Sequence, residues 1–439
     1  MHIGAGITLL GSGENVSRLL KVSVFTAVAG FAATVPALSQ DNDDDFSRTR
    51  NTSVRDRVRP DYDAVGIPVS AFLLFPNLDL TTEYDDNILA TQTNPKDDVI
   101  FLIEPQATLK SQWSRHELTL SSYALVNQYA SNKSENTTDY GAKLDGRLDV
   151  YHWTTVTGNF SYDHLTEARD SENTTLNTVS PVQYDLMRSE LSGNQQFDFF
   201  KFTLTGDYTN YQYQDGKDAT GNIVLEQNRN LTSWDETGRL DYALTPDKAI
   251  YVSGTLSQNS YELVPPVVAQ NRDSTGFTLL GGFNFDLTNL VTGDIGLGYF
   301  EQNFDHLAGQ NASGFAVNGD VKWFPTQLTT VSLHLARQMQ NAVVGISAGY
   351  ISTDTVLQID HELRRNIVLT AIGSYNDDAY QGIDRTDHRW TAGVSATYLL
   401  NRTFGLTLGY THGTQRSYGV NRYVNYDDNK WTISLVAQR

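Results

Sequence analysis

From about residue 70 onward, apolar or aromatic side chains alternate with Gly, Ser, Thr, Asn or charged ones, in runs of roughly ten to fifteen residues. Period two sends successive side chains to opposite faces of an extended strand. Phe404, Leu406, Leu408 and Tyr410 alternate with Gly405, Thr407, Gly409 and Thr411. Trp390, Ala392, Val394, Ala396 and Tyr398 do so with Thr391, Gly393, Ser395 and Thr397, and Phe277, Leu279, Gly281, Phe283 and Phe285 with Thr278, Gly282, Asn284 and Asp286. Such segments begin near 70, 98, 115, 138, 153, 184, 201, 229, 248, 273, 290, 313, 328, 349, 366, 387, 403 and 428. They predict about 18 strands (16 to 18), each long enough to cross a bilayer when tilted.

Soluble sandwiches and propellers alternate too, so the connections decide between the classes. Tight links fall at Trp113-Ser114, Tyr151-His152-Trp153, Thr245-Pro246-Asp247, Phe324-Pro325-Thr326, Arg364-Arg365-Asn366 and Asn401-Arg402. Between them lie long links at 88–97, 131–138, 166–183, 213–228, 260–272, 304–312, 376–386 and 413–427. Short turns on one side and long loops on the other mark an outer-membrane barrel. Aromatics sort in the same way: Trp113, Trp153, Phe199, Phe200, Trp323 and Phe324 beside tight turns, and Tyr84, Tyr140, Trp234, Tyr261, Tyr350, Tyr375, Trp390 and Trp431 at loop ends. Two belts at opposite strand ends are the two interfacial girdles. The predicted fold is all-β: a transmembrane antiparallel up-and-down β-barrel over residues 67–439, with no plug domain.

Residues 1–39 read as a signal peptide, with Arg18 and Lys21 before the apolar Val22–Ala37 and a small-x-small site at Ala37-Leu38-Ser39. Residues 40–66, from Asp41-Asn-Asp-Asp-Asp45 through Arg55-Asp-Arg57-Val-Arg59, lack apolar periodicity and read as a flexible periplasmic segment too short to plug a transporter. Beyond the signal no apolar stretch is long enough for a helical span, so a membrane-embedded chain has to close as a barrel. The last strand keeps the alternation through Trp431, Ile433, Leu435 and Ala437, but the chain stops at Arg439 rather than at an aromatic residue.

Composition narrows the chemistry. With no Cys, disulfide scaffolds and thiolate metal sites are excluded. A net charge of −19 disfavours a nucleic-acid partner.

If the apolar phase meets lipid, the other phase faces the interior, and it carries charge. Lys143, Asp145, Arg147, Asp149, Arg239, Asp241, Asp320 and Lys322 are the candidate lumen-lining binding residues, joined by Lys110, Asp163, Asp207, Asp294, Asp360 and Glu362. Charges against a packed apolar core would each cost several kcal/mol, so this set implies water inside. Each one reads equally as a solvated wall residue paired with a neighbour.

No catalytic site emerges. Gly345-Ile-Ser347-Ala-Gly349 matches a nucleophile-elbow pattern but lies in a link with no helix after it, and reads as a flexible turn. The nine histidines are scattered, without zinc-site spacing, and no cofactor is called for. Tyr84-Asp85-Asp86-Asn87, Tyr375-Asn376-Asp377-Asp378 and Tyr426-Asp427-Asp428-Asn429 recur at outer strand ends. Asp85, Asp86, Asp377, Asp378, Asp427 and Asp428 form either a solvated acidic rim or weak sites for divalent cations.

Phe72-Leu-Leu-Phe-Pro76-Asn-Leu-Asp-Leu-Thr-Thr-Glu-Tyr-Asp-Asp-Asn-Ile88, with Asn94-Pro-Lys-Asp-Asp98 and Trp113-Ser-Arg-His-Glu-Leu118, resembles the β-barrel porin family of the exopolysaccharide-export type. The resemblance is sharpest over residues 65–165. It implies an outer-membrane barrel that conducts a polysaccharide and works with a periplasmic export protein, in contact with lipopolysaccharide and outer-membrane lipid. A passive porin for small solutes is the alternative reading, followed by an outer-membrane enzyme or a surface adhesin.

Overall fold

The computed structural model describes residues 51–171, 178–264, 271–288, 290–305, 307, 311–341, 347 and 349–439. The signal-peptide reading of residues 1–39 lies outside the described residues. Eighteen long strands dominate: β1 Phe72–Asp85, β2 Asp98–Ser111, β3 Glu117–Tyr129, β4 Thr137–Tyr151, β5 Thr154–Thr166, β6 Gln183–Phe197, β7 Phe200–Tyr213, β8 Leu231–Thr245 and β9 Lys248–Tyr261. The second half continues with β10 Ser274–Leu287, β11 Val291–Phe304, β12 Ala312–Thr326, β13 Thr329–Asn341, β14 Gly349–Arg364, β15 Ile367–Tyr380, β16 Thr386–Leu399, β17 Phe404–Tyr418 and β18 Tyr426–Gln438. Each pairs antiparallel with its neighbours in sequence, and β18 returns to β1 in register from Asn77↔Gln438 to Asp85↔Lys430. The sheet therefore has no open edge. In lipid that closure is what satisfies every backbone N–H and C=O.

Register confirms the predicted parity. On β4, Thr119↔Asp145 and Ser121↔Lys143 share one face with the pairs Asp145↔Asn159 and Arg147↔Thr157 toward β5. The other face carries the exposed apolar side chains, among them Leu144, Leu148, Phe160, Leu256, Leu408 and Ile433. Exposed leucines ringing the whole sheet are costly in water and favourable in hydrocarbon, so this face meets lipid.

The strands start close to the predicted positions, and two outer links are shorter than expected. β15 runs on to Tyr380 and β17 to Tyr418, consuming much of 376–386 and 413–427. Beyond the apolar band the inward phase keeps hydrogen-bonding: Asn376 Nδ2 donates to Asp354, and Ser417 Oγ to Asp387 Oδ1. Phe324-Pro325-Thr326 is likewise the end of β12, and the turn falls at Gln327-Leu328. Three aromatics expected in the girdles point inward instead, namely Phe324, Tyr261 and Tyr350, all buried. Parity explains it, because Trp323 and Phe324 are consecutive in a strand and cannot both face lipid. The remaining outer-girdle rings stack across strands, with Tyr375–Trp390 centroids 4.1 Å apart and Tyr410–Trp431 5.2 Å.

Residues 51–66, expected to be free, are docked against the tight-turn end of the barrel. Arg55 Nε lies 2.9 Å from Asp360 Oδ1, while Arg57 Nη1 and Arg59 Nη2 each lie 3.0 Å from Glu362 Oε2. Arg59 also donates to the Val54 carbonyl at 2.8 Å, and Val54 packs on Val368. Farther along, Arg402 Nε donates to Pro60 O at 2.7 Å, and Tyr62 sits against Leu399 and Val436. The basic run has found the acids of β14, which the polar composition alone did not reveal. Ile67–Val69 then pairs with the start of β1 and leads into the barrel.

Glu362→Ala removes the carboxylate that Arg57 and Arg59 share and leaves the buried Arg59 without it, a change worth about 3–5 kcal/mol in comparable buried pairs. Trypsin is then expected to cut between Arg55 and Arg59 while the barrel stays intact on a gel. An arm as resistant as in the unmodified protein would show that these pairs do not hold it.

Candidate functional site: the lumen and its outer end

All eight candidate lumen residues face inward, but they are spread over β4, β8 and β12 rather than gathered at one point. All three strands carry opposite charges two residues apart on one face, and on β4 and β8 these charges pair. Lys143 Nζ is 2.8 Å from Asp145 Oδ1, Arg147 Nε 3.0 Å from Asp149 Oδ1, and Arg239 Nη2 2.7 Å from Asp241 Oδ1. Arg239 also reaches Asp294 Oδ2 at 2.8 Å and lies over the Tyr251 ring, 3.6 Å from its centroid. Lys322 is placed between Thr292 and Ser332. These are mutually neutralising wall charges, partly exposed to the interior.

Asp320 faces His334 directly across β12–β13, with His334 Nδ1 2.8 Å from Asp320 Oδ1. Among the described residues no serine or threonine hydroxyl hydrogen-bonds this imidazole. Ser347, from the elbow-like sequence, is buried and its Oγ donates to the carbonyls of Gly349 and Gln381 at 2.9 Å. Gly345, Ile346 and Ala348 of that motif lie outside the described residues.

Carboxylates meet head-on at mid-wall. Glu190↔Asp207 and Asp207↔Asp235 place three acids in one row across β6, β7 and β8, and Asp79↔Glu104 places two across β1 and β2. Like charges opposite one another in a sheet are destabilising, so the arrangement opposes stability rather than serving it. Sequence parity found Asp207 alone. The row itself depends on the register between strands, which parity does not supply.

The outer end is narrowed by loops that fold back into the barrel. Inward positions there are apolar: Leu165, Tyr184, Leu186, Tyr211, Leu231 and Tyr261 form one buried cluster, and Ile88, Ile100, Leu102 and Leu125 another. They seat loop residues that would otherwise stand in water. The β5–β6 link is fixed by charge as well. Arg229 Nη1 lies 3.0 Å from both Glu167 Oε2 and Glu226 Oε2, and the guanidinium covers the Tyr213 ring at 3.9 Å. Burial pushes the Glu167 carboxyl above the usual range, with Arg229 opposing it. Arg169 Nε reaches Glu135 Oε2 of the β3–β4 link at 2.9 Å. The next residue, Asp170, stretches to β18, with Oδ2 3.8 Å from Lys430 Nζ and its carbonyl 3.4 Å from Tyr426 Oη. A chord thus crosses the lumen from β5 to β18. None of these loop residues showed periodicity, and sequence reading passed them by. A signal was present in the unbroken apolar run Val99-Ile-Phe-Leu-Ile103, where both strand faces are apolar.

Of the acidic rim, Asp85, Asp86 and Asp428 come together, with ligand oxygens within 4.8 Å of one another. The others go elsewhere: Asp378 pairs with Arg389, Asp427 with Arg416 at 2.7 Å, and Asp377 lies 3.7 Å from His388.

Comparison with known proteins follows the same line. Among solved structures, the outer membrane protein opdK of Pseudomonas aeruginosa is similar at 12% identity and TM-score 0.43, covering 83% of this chain and 99% of its own. OpdO of the same organism shows 13% identity and TM-score 0.44, covering 84% and 98%. The siderophore receptor PirA of Pseudomonas aeruginosa shows 10% identity and TM-score 0.43, covering 86% and 82%. No curated protein matches the chain. The family model described as "Putative beta-barrel porin 2" matches residues 59–439, which takes in all eighteen strands and the second half of the docked arm. The chain belongs to that family and is a β-barrel porin of the bacterial outer membrane.

Proposed function

We propose that the barrel is a passive channel for small polar solutes with a preference for cations. The observation that carries this reading is the β5–β6 link anchored across the outer lumen by Glu167–Arg229 and Asp170–Lys430. A polymer chain would have to thread past this chord and its buried ion pairs, whereas a small solute needs only the space beside it. Facing carboxylates at Glu190, Asp207 and Asp235 favour cations, since clustered acids lower the energy of a cation in a narrow pore and raise that of an anion. The paired charges of β4 and β8 supply weak polar contacts that let a solute leave again. Exopolysaccharide export with a periplasmic partner draws its support from the sequence resemblance. It requires the chord to swing out of the lumen.

Purified protein in liposomes separates the two readings. Swelling by small sugars that falls away as the sugar lengthens is expected, and deletion of the gene is expected to leave secreted polysaccharide unchanged. Loss of that polysaccharide with small-solute uptake intact would overturn the proposal.

The acid row gives a second measurement. Replacing Glu190→Gln, Asp207→Asn and Asp235→Asn together is expected to lower the cation-to-anion permeability ratio, read from reversal potentials in planar bilayers, by roughly threefold. A ratio unmoved by the triple change would remove these acids from the conduction path.

The chord has its own variant. Arg229→Ala leaves Glu167 and Glu226 buried without their shared cation, which costs about 3–5 kcal/mol and should release the link. Single-channel conductance is expected to rise. Unchanged conductance in a folded variant would mean that the link does not limit flow.

A further inference from the structure

We propose that Asp85, Asp86 and Asp428 hold one calcium ion at the outer end of the seam where the first and last strands close the barrel. The three carboxylates each place a ligand atom within 4.8 Å of the others. Calcium–oxygen bonds are about 2.4 Å long, so oxygens within about 4.8 Å of one another fit around a single ion.

The surrounding charge does not balance. Lys430 lies 3.0 Å from Asp428 Oδ2, 3.6 Å from Asp85 Oδ2 and 3.8 Å from Asp170 Oδ2, and so divides one positive charge among three acids. Glu83 adds a fourth from the same inward face of β1, with Lys430 as an opposite and Asp85 and Asp170 as like charges near it. Asp86 is a fifth, and it accepts only from the neutral Asn429, at 2.8 Å to the backbone N–H and 2.7 Å to Nδ2. Two other cations of this end pair with other acids: Arg389 with Asp378, and Arg169 with Glu135.

Two buried carboxylate oxygens here receive no N–H or hydroxyl donor. Glu83 is 4% exposed and its Oε2 has no hydrogen-bond partner among the described residues; Asp428 is 6% exposed and its carboxyl, with Oδ1 lacking any such donor, lies against the carboxyl of Asp85. Buried carboxylate oxygens without a donor are costly, and a cation is the partner that serves several of them at once. Calcium suits the site better than magnesium because the donors are all oxygen, sit on two strands and a loop edge, and do not form a rigid octahedron. Its place at the loop end faces the exterior, where weak calcium sites operate in the millimolar range. Bound there, the ion ties β1 to β18 and leaves Lys430 to Glu83 and to Asp170 of the chord.

The test uses the whole barrel in detergent, stripped with a chelator and titrated with calcium alone. Its unfolding temperature is expected to rise by a few degrees, as ligand binding to the folded state alone requires. Terbium luminescence excited through Tyr84, Tyr426 and Trp431 is expected to appear and to be competed away by calcium. Asp86→Asn and Asp428→Asn should each weaken binding at least about tenfold. Asp427→Asn, one residue from the site but paired outward with Arg416, should bind as the unmodified protein does. Folding of each variant is checked by its mobility on an unheated gel, and if Asp428→Asn fails that check, Asp86→Asn decides alone. An unmodified protein whose unfolding temperature ignores calcium would overturn the site. So would an Asp86→Asn protein that binds like wild type, or equal competition by magnesium.

Discussion

Everything in this molecule depends on one requirement: inside hydrocarbon, each backbone N–H and C=O has to find its partner within the protein. An open sheet leaves two edges unpaired, and each unpaired group costs several kcal/mol in lipid. Eighteen antiparallel strands with β18 joined to β1 meet the requirement. Once the sheet is closed, strand parity allots every second side chain to lipid and the rest to the interior. The lipid face is largely apolar for that reason, with Glu236, between Gly206 and Leu256, an exposed exception. The interior face carries most of the polar chemistry.

That interior handles charge in three ways. On β4 and β8 acids and bases neutralise one another along a strand. At the tight-turn end the acids of β14 are met by arginines of the docked arm, and at the loop end Glu167, Glu226 and Asp170 are met by Arg229 and Lys430. Between these ends Glu190, Asp207 and Asp235 stand opposite one another across three strands.

The strands and their facing were legible because period two is a local property, written in neighbouring residues such as Leu406, Thr407 and Leu408. Loop sorting was legible too, since the spacing between alternating runs is itself sequence. What escaped was whatever needs two distant segments at once. Arg59 and Glu362 are far apart in the chain, as are Asp170 and Lys430, and nothing in either member names the other. Asp85, Asp86 and Asp428 were visible as separate acidic motifs, but not as one cluster across the closing seam. Tyr261, Tyr350 and Phe324 were misplaced because their aromatic type was weighed above their parity.

The docked arm has a consequence for the order in which the molecule can be completed. Residues 51–66 precede β1, yet their contacts are with Thr330 on β13, Asp360 and Glu362 on β14, Val368 on β15, Leu399 on β16, and Val436 and Gln438 on β18. This stretch of the chain therefore lacks most of its binding surface until the last third exists. It acts as a clasp that latches only after the circle is drawn, and a barrel with its arm in place is a barrel whose assembly has finished.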